Sequence, residues 1–104
     1  MLNEETPTML DEEILSTVSS VFKVLSDPTR ISLLNVLENK EINVGTLAST
    51  LSLEQSAVSH QLKILRSARL VKSRRVGKMM VYSQTDDHVY SILKQVILHA
   101  QEEN

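Results

Sequence analysis

Residues 44–71, VGTLASTLSLEQSAVSHQLKILRSARLV, decide the fold of this chain. Their apolar spacing predicts a short helix over residues 44–51, followed by a second helix that starts near Leu53 or Glu54. Two short helices joined by a tight turn form a helix-turn-helix, so this stretch predicts that motif.

The second helix of this pair has distinct apolar and polar faces. Ser52 stands three residues before Gln55, which is the spacing of a capping box, and is expected to cap the helix. Val58, Leu62 and Leu65 follow at helical spacing and are expected to face the core. The other face is polar and open to a partner or to solvent.

Beyond the helix pair the sequence changes to β-compatible runs. Residues 71–76 and 79–83 flank Gly77, which suits a hairpin turn that needs a positive φ. A helix-turn-helix followed by a β-hairpin is a winged helix-turn-helix. The expected fold class is therefore mainly α with a β-hairpin wing.

Three further helices are expected around this centre. One starts at Asp11, and a second is opened by Ser26-Asp27-Pro28, a capping side chain followed by proline at the first helical position. The second ends near Asn39, and a last helix runs from about Asp86 to the C-terminus.

The expected domain organisation is simple. Residues 1–10 form a short acidic and flexible lead, and residues 11–104 form one winged helix-turn-helix domain. The helices at the two ends of that domain are the expected dimerisation elements, because a chain this small gains apolar burial by pairing.

Composition narrows the classes of function. The chain has 41% hydrophobic residues but no run of about 18 apolar residues, so no membrane partner is expected. The N-terminus lacks a basic-then-apolar signal pattern, which favours a cytoplasmic protein. There are no cysteines, so any bound metal must sit on nitrogen and oxygen donors.

The net charge of −2 hides a strong segregation of charge. No acidic residue lies between Gln55 and Thr85, whereas that window holds seven basic residues: Lys63, Arg66, Arg69, Lys72, Arg74, Arg75 and Lys78. A local positive field in an acidic molecule indicates a polyanionic partner, here double-stranded DNA. The alternative is a solvated basic face that has no partner.

The candidate DNA-contacting residues fall into two groups. Those on the helix that would enter the major groove are polar groups able to pair with base edges: Gln55, Ser56, Ser59 and His60. Those suited to phosphates are long cations: Lys63, Arg74, Arg75 and Lys78. Ordinary solvation is the alternative for any single one, and the combination of helix pair, basic hairpin and missing acids favours DNA.

A second set of candidate residues lies near the C-terminus: Asp86, His88, His99 and Glu102. On one helix His88 and His99 are roughly 20° apart around the axis but about 16 Å apart along it, too far for one metal ion. Glu102 returns to the side of His99, and Asp86 must lie at or before the helix start to join His88.

Antiparallel pairing of two copies of this helix removes the problem of distance. It brings Asp86 and His88 of one subunit to His99 and Glu102 of the other, which makes two sites per homodimer. Each site has two imidazoles and two carboxylates, a set suited to tetrahedral zinc, although cobalt and nickel accept the same donors. The expected pairing face is an apolar stripe: Val89, Ile92, Leu93, Val96, Ile97 and Ala100.

Several motifs together resemble one family. They are FKVLSDPTRISLLNVL (22–37), QSAVSHQLKILRSARLV (55–71), GKMMVYS (77–83) and the ending Asp-x-His, ten residues, His-x-x-Glu. This combination resembles the ArsR/SmtB family of metalloregulatory repressors, in its zinc-sensing SmtB/CzrA-like branch. Residues 41–45 lie where arsenic, cadmium and lead sensors place paired cysteines, and that site is absent here.

The resemblance implies metal ligation by the four C-terminal residues and groove contacts around Ser56, Ser59 and His60. It also implies a homodimer on an imperfect palindrome upstream of a metal efflux or sequestration gene. The expected function is a transcriptional repressor that binds its operator when metal-free and is released by zinc.

Other functions remain open at this point. The main alternative is a regulator of the same type that uses its His/carboxylate set structurally, or that responds to cobalt, nickel or a non-metal signal. A metal-dependent hydrolase is disfavoured, because H-E-x-x-H and a glycine-rich phosphate loop are absent. No catalytic residue, enzymatic activity or organic substrate is therefore expected. A pure dimerisation module leaves the charge segregation unexplained.

Overall fold

The structure is a computed structural model and describes residues 6–102. The elements in this part of the chain are α1 (Glu12–Leu25), α2 (Pro28–Val36), β1 (Ile42–Asn43), α3 (Val44–Leu51), α4 (Gln55–Ser67), β2 (Val71–Val76), β3 (Met79–Gln84) and α5 (His88–Gln101). Of the flexible lead expected over 1–10, residues 1–5 lie outside the described residues, and 6–10 belong to no helix or strand.

Helix α2 begins as the sequence predicts. The Asp27 carboxylate accepts a hydrogen bond from the Arg30 N–H at 3.0 Å, and Pro28 occupies the first helical position. The helix ends at Val36 rather than near Asn39, because Leu37 begins a turn and Asn39 has a φ of 55°. A residue in this left-handed region terminates a helix.

The turn between α3 and α4 corrects one prediction. Ser52 does not cap α4; it closes α3 instead, with a φ of 55° and a ψ of 45°. The next N–H, that of Leu53, donates to the Ala48 carbonyl at 2.9 Å, which completes the left-handed ending of the helix. Helix α4 starts at Gln55, and its N-cap Glu54 makes no side-chain capping bond. The capping-box prediction was therefore wrong.

The core lies between α2, α3 and α4. Leucines 33, 34, 37, 47, 62 and 65 and Val58 have no exposed surface. The predicted inward face of α4 is thus confirmed. Because this face is anchored by complete burial, the opposite face of α4 is held outward in a fixed direction.

A three-stranded antiparallel sheet, ordered β1-β3-β2, packs beside these helices. The hairpin closes with Val76 opposite Met79, and Gly77 has the expected positive φ of 61°. Strand β1 was not predicted, since it is only two residues long; it pairs Ile42 with Tyr82. The hairpin is thereby joined to the start of α3.

Helix α5 also differs from its prediction. It begins at His88 rather than Asp86 and ends at Gln101, with Glu102 extended at a φ of −67° and a ψ of 137°. The apolar stripe expected to form the pairing face divides into two parts, because Leu93 is buried in the protomer's own core while Ile92 and Val96 are exposed. Val89 and Ile97 also pack against that core. The part buried in the protomer's own core is not available for pairing, and pairing through the exposed part stays a prediction.

No helix among the described residues is long and apolar enough to cross a membrane.

The Asp27 cap is a test of how α2 is held. We expect Asp27→Ala to lower the free energy of unfolding by about 1 kcal/mol, because the Arg30 N–H loses its acceptor at the helix start. Urea denaturation at one fixed protein concentration measures it. The matched control is Glu54→Ala, which removes a carboxylate from an N-cap that makes no capping bond. Equal losses in both variants would contradict the assignment.

Candidate nucleic-acid interface and metal half-sites

The outer face of α4 carries the predicted base-reading residues. Gln55, Ser56 and His60 are exposed, as is the predicted phosphate contact Lys63, and Ser59 is half-buried. The structure therefore brings the four predicted base contacts and Lys63 to one surface. No DNA is present, so their contacts with DNA stay a prediction.

An open groove separates the start of α4 from the hairpin. Gln55 and Ser59 line one side, Lys78 and Met79 line the other, and the start of α3 forms the floor. Gly45 matters here: a Cβ on it would lie 3.2 Å from Asn43 Oδ1 and 3.5 Å from Gln55 Nε2. The tighter of the two contacts is with the Asn43 oxygen that accepts the Thr46 N–H and caps α3, so a side chain at position 45 would crowd that cap.

The hairpin arginines are not equivalent. Arg74 makes a bidentate ion pair with Glu41, with Nη2–Oε1 at 2.6 Å and Nε–Oε2 at 2.7 Å. The hydrogen bond from Arg74 lowers the pKa of Glu41, and the same bond raises the pKa of Arg74. In the part of the chain that the structure describes, Arg75 and Lys78 form no ion pair. Arg74, which the sequence predicts as a phosphate contact, is thus paired with Glu41, and its contact with DNA stays a prediction.

Sequence reasoning missed Glu41 as a partner of the hairpin. It lies 33 residues from Arg74 and just before the unpredicted strand β1, so no local pattern joins the two. Prediction of the β1–β3 pairing would have supplied the signal, because β1 and β2 flank β3.

The four predicted metal ligands form two pairs at opposite ends of α5. Asp86 Oδ1 lies 3.5 Å from His88 Nδ1 and accepts the His88 N–H at 3.0 Å. His99 Nδ1 lies 4.0 Å from Glu102 Oε2. Asp86 thus precedes the helix, as the ligand geometry required, and Glu102 approaches His99 although it lies outside the helix.

Each pair is open to a further ligand. The exposed fractions of the side chains are 90% for His88, 54% for Asp86, 85% for His99 and 69% for Glu102. Within residues 6–102 no three histidines or carboxylates gather into a metal-binding group. One protomer therefore offers two separate candidate half-sites, each with one imidazole and one carboxylate, and their binding of metal stays a prediction.

Exposed apolar side chains lie beside these half-sites. Around the helix axis Ile92 is about 40° from His88 and about 20° from His99. Ile92 and Val96 keep 47% and 58% of their surface exposed. Helix α1 has a similar exposed apolar set: Ile14, Leu15, Val18 and Phe22. Both terminal helices thus carry apolar surface that the protomer leaves uncovered.

Comparison with known proteins agrees with this fold and shows the family to which the chain belongs. Residues 27–73 match the family described as "Bacterial regulatory protein, arsR family". A transcriptional repressor SmtB homolog of Synechocystis is 42% identical over 96 residues, covering 92% of this chain and 73% of the relative. The chain belongs to the ArsR family.

Two further relatives of this ArsR-family member are informative. The regulator NmtR of Mycobacterium tuberculosis is 40% identical over 88% of this chain and 77% of its own. A homodimeric winged helix-turn-helix DNA-binding domain from Mycobacterium bovis, solved in solution, superposes with a TM-score of 0.79 at 28% identity, covering 86% of this chain and 83% of its own. The predicted winged helix-turn-helix fold is confirmed. The protein is a transcriptional regulator.

The difference between the hairpin arginines leads to a test of DNA binding. A duplex is first selected from a random pool by the metal-free protein. We expect Arg75→Ala to weaken binding to it and to reduce the slope of log affinity against log salt by about 1, because one phosphate contact is lost. Fluorescence anisotropy over a salt series measures both.

The control for this test removes the ion pair between Arg74 and Glu41, whose two charges cancel. The double variant Glu41→Gln with Arg74→Gln takes away no net charge, so its salt slope should match the wild type. A wild-type slope in Arg75→Ala, or a reduced slope in the double variant, would contradict the assignment.

Proposed function

We propose that this protein is a metal-responsive transcriptional repressor, which binds operator DNA as a metal-free homodimer and is released when zinc binds. The observation that carries the proposal is the pair of exposed His/carboxylate half-sites at opposite ends of α5. Neither half-site alone completes a tetrahedral zinc shell, and together they supply two imidazoles and two carboxylates.

The proposal requires a second subunit. The rise of about 16 Å between His88 and His99 prevents one ion from reaching both within a chain. Antiparallel α5 helices from two subunits remove that barrier, since the start of each then lies beside the end of the other. The exposed Ile92 and Val96 supply apolar surface for such a contact. The Mycobacterium bovis relative is itself a homodimer.

The donor chemistry supports zinc as the effector. The chain has no cysteine, so thiolate-dependent ions lack their preferred ligands. His88 and His99 would supply neutral nitrogens, and Asp86 and Glu102 would supply anionic oxygens. A zinc ion held by these four residues would link the two subunits. Cobalt and nickel accept the same donors and are separate arms of the test below.

The DNA-binding half of the proposal rests on α4 and the hairpin. Helix α4 would enter the major groove with Gln55, Ser56, Ser59 and His60 toward base edges. Lys63, Arg75 and Lys78 would contact phosphates, and Arg74 would keep its bidentate pair with Glu41. The acid-free window from Gln55 to Thr85 favours this face over the rest of the molecule.

Metal and operator oppose each other in this scheme. The metal crosslink favours a dimer geometry in which the two α4 helices do not fit successive major grooves, so each ligand weakens the other by the same coupling free energy. Typical couplings are about 1–3 kcal/mol, and a nearly complete switch needs roughly 5 kcal/mol.

The organisation of the chain follows from the same proposal. Residues 11–104 act as one winged helix-turn-helix domain whose helices α1 and α5 are the dimerisation elements, and residues 1–10 act as a lead. A repressor works where its operator lies, so we propose a cytoplasmic location.

Zinc titration tests the sensor. We expect zinc to lower the affinity of the wild type for its selected duplex at least about tenfold, which corresponds to 1.4 kcal/mol. His99→Ala should bind the duplex normally without metal and should show no release with zinc, because each intersubunit site loses a nitrogen ligand. Anisotropy titrations with zinc, cobalt and nickel measure the response.

The remaining histidine provides the control. His60 lies on α4, away from both half-sites, so His60→Ala should still bind one zinc per subunit in a DNA-free chelator competition. Zinc-driven release of DNA by His99→Ala would contradict the assignment of His99 as a zinc ligand. If the wild type responded only to cobalt or nickel, that metal would replace zinc as the proposed effector, and the proposed ligands would stand.

A pair of matched variants tests the dimer. Val96 and Leu98 are 58% and 55% exposed but lie on opposite sides of α5. We expect Val96→Glu to sediment as a monomer and to lose tight zinc binding, because the charge interrupts the proposed contact. Leu98→Glu should stay dimeric and keep zinc binding. Identical behaviour of the two variants in sedimentation equilibrium would contradict the proposed interface.

A further inference from the structure

The last residue of β3 and the connection from it to α5, residues 84–87, join the proposed metal half-site to the DNA-binding half. Asp86, in the middle of it, is a proposed metal ligand. Its neighbours Gln84, Thr85 and Asp87 have no role in the function proposed above. Their side chains nevertheless form hydrogen bonds that connect α5 to the ends of two other helices.

Thr85 contacts the segment that follows α4. Its Oγ1 donates to the Arg69 carbonyl at 2.7 Å, and its N–H donates to the Leu70 carbonyl at 3.3 Å. Arg69 has a left-handed φ of 62°, and it lies two residues beyond the last residue of α4, Ser67. Thr85 therefore binds the point at which the base-reading helix turns into the hairpin.

Gln84 connects α5 to α2. Its Nε2 donates to Asp87 Oδ1 at 2.6 Å, and its Oε1 accepts the Asn39 N–H at 3.3 Å. Asn39 ends the turn after α2, and Asp87 is the N-cap residue of α5. The Asp87 carboxylate makes no capping bond, so Gln84 is its hydrogen-bond partner. One amide thus bridges two segments that are 45 residues apart.

A movement of Asp86 would disturb the hydrogen bonds of Thr85 and Gln84, because it lies in the same short segment as both residues. Asp86 Oδ1 accepts the N–H of His88, the first residue of α5. Ligation of an intersubunit ion by this oxygen would compete with that hydrogen bond. Thr85 and Asp87 are the residues on either side of Asp86 in the chain. A change in the backbone torsions of Asp86 therefore moves both of them.

We infer that Thr85 and Gln84 are coupling residues, which transmit metal occupancy at Asp86 and His88 to the ends of α4 and α2. The inference rests on the proposed function and names its route of regulation. These residues touch neither metal nor DNA in the proposal. Their removal should therefore change the coupling between the two ligands and spare the affinity for each ligand alone.

The test uses the full-length dimer and the selected DNA duplex. Thr85→Val keeps the shape and the backbone N–H but deletes the hydroxyl that donates to Arg69. We expect the ratio of operator affinity without zinc to that with zinc to fall about 2- to 30-fold. Zinc affinity in the absence of DNA, and operator affinity in the absence of zinc, should stay at wild-type values. Gln84→Met should act in the same direction.

Thr50→Val is the matched control. The Thr50 hydroxyl makes a similar side-chain bond to a carbonyl, that of Thr46 within α3 at 2.7 Å, and does not link to α5. Its coupling ratio should equal that of the wild type. A wild-type ratio in both Thr85→Val and Gln84→Met would overturn the inference, as would an equal loss in Thr50→Val.

Hydrogen exchange on the unmodified protein keeps the inference testable if the variants fold poorly. The Thr85 and Asn39 amides donate bonds in this network, so zinc should change their exchange rates. Unchanged rates in a wild type that zinc releases from DNA would overturn this inference alone. A wild type that no metal releases would overturn the proposed function and this route together.

Discussion

The separation of two donor pairs along a stiff helix is the constraint on which the rest depends. His88 and His99 face the same side of α5, yet a helix cannot shorten to bring its ends together. A single chain therefore cannot chelate one ion with both pairs, whereas two antiparallel copies would do so without any change in the helix. In the proposed function, dimerisation, ligand geometry and regulation all follow from this one length, because a filled site would require one particular arrangement of the two subunits.

Helix α5 accordingly has two different faces: one packs in the protomer's own core, and the other is exposed. Tyr90 and Leu93 are buried in the protomer's own core, which fixes the orientation of the helix. That orientation leaves Ile92 and Val96 exposed beside the line of histidines. The folding core thus fixes the direction in which the two candidate ligands on the helix itself, His88 and His99, point.

Much of the fold was readable from local sequence. Asp27-Pro28 marks a helix start by its own chemistry, and Val58 with its helical neighbours marks a buried face. Ser52 was misread, because the same residue type serves as an N-cap and as a left-handed helix ending, and only the length of the turn decides between them. The Glu41–Arg74 pair was unreadable, since it depends on a strand of two residues. For the candidate site, spacing alone suggested the four donors, whose role stays a prediction, whereas the hydrogen bonds of residues 84–87 depend on tertiary packing.

The Glu41–Arg74 pair has a mechanical consequence. It spans the central strand of the sheet, from the segment before β1 to the outer strand β2, with two parallel hydrogen bonds that fix both distance and angle. Because β1 runs directly into α3, the hairpin is braced against the helix pair rather than hinged to it. The pair therefore restrains the wing relative to α4, and in the proposed dimer a regulatory signal would move the wing and this helix together rather than bend the wing.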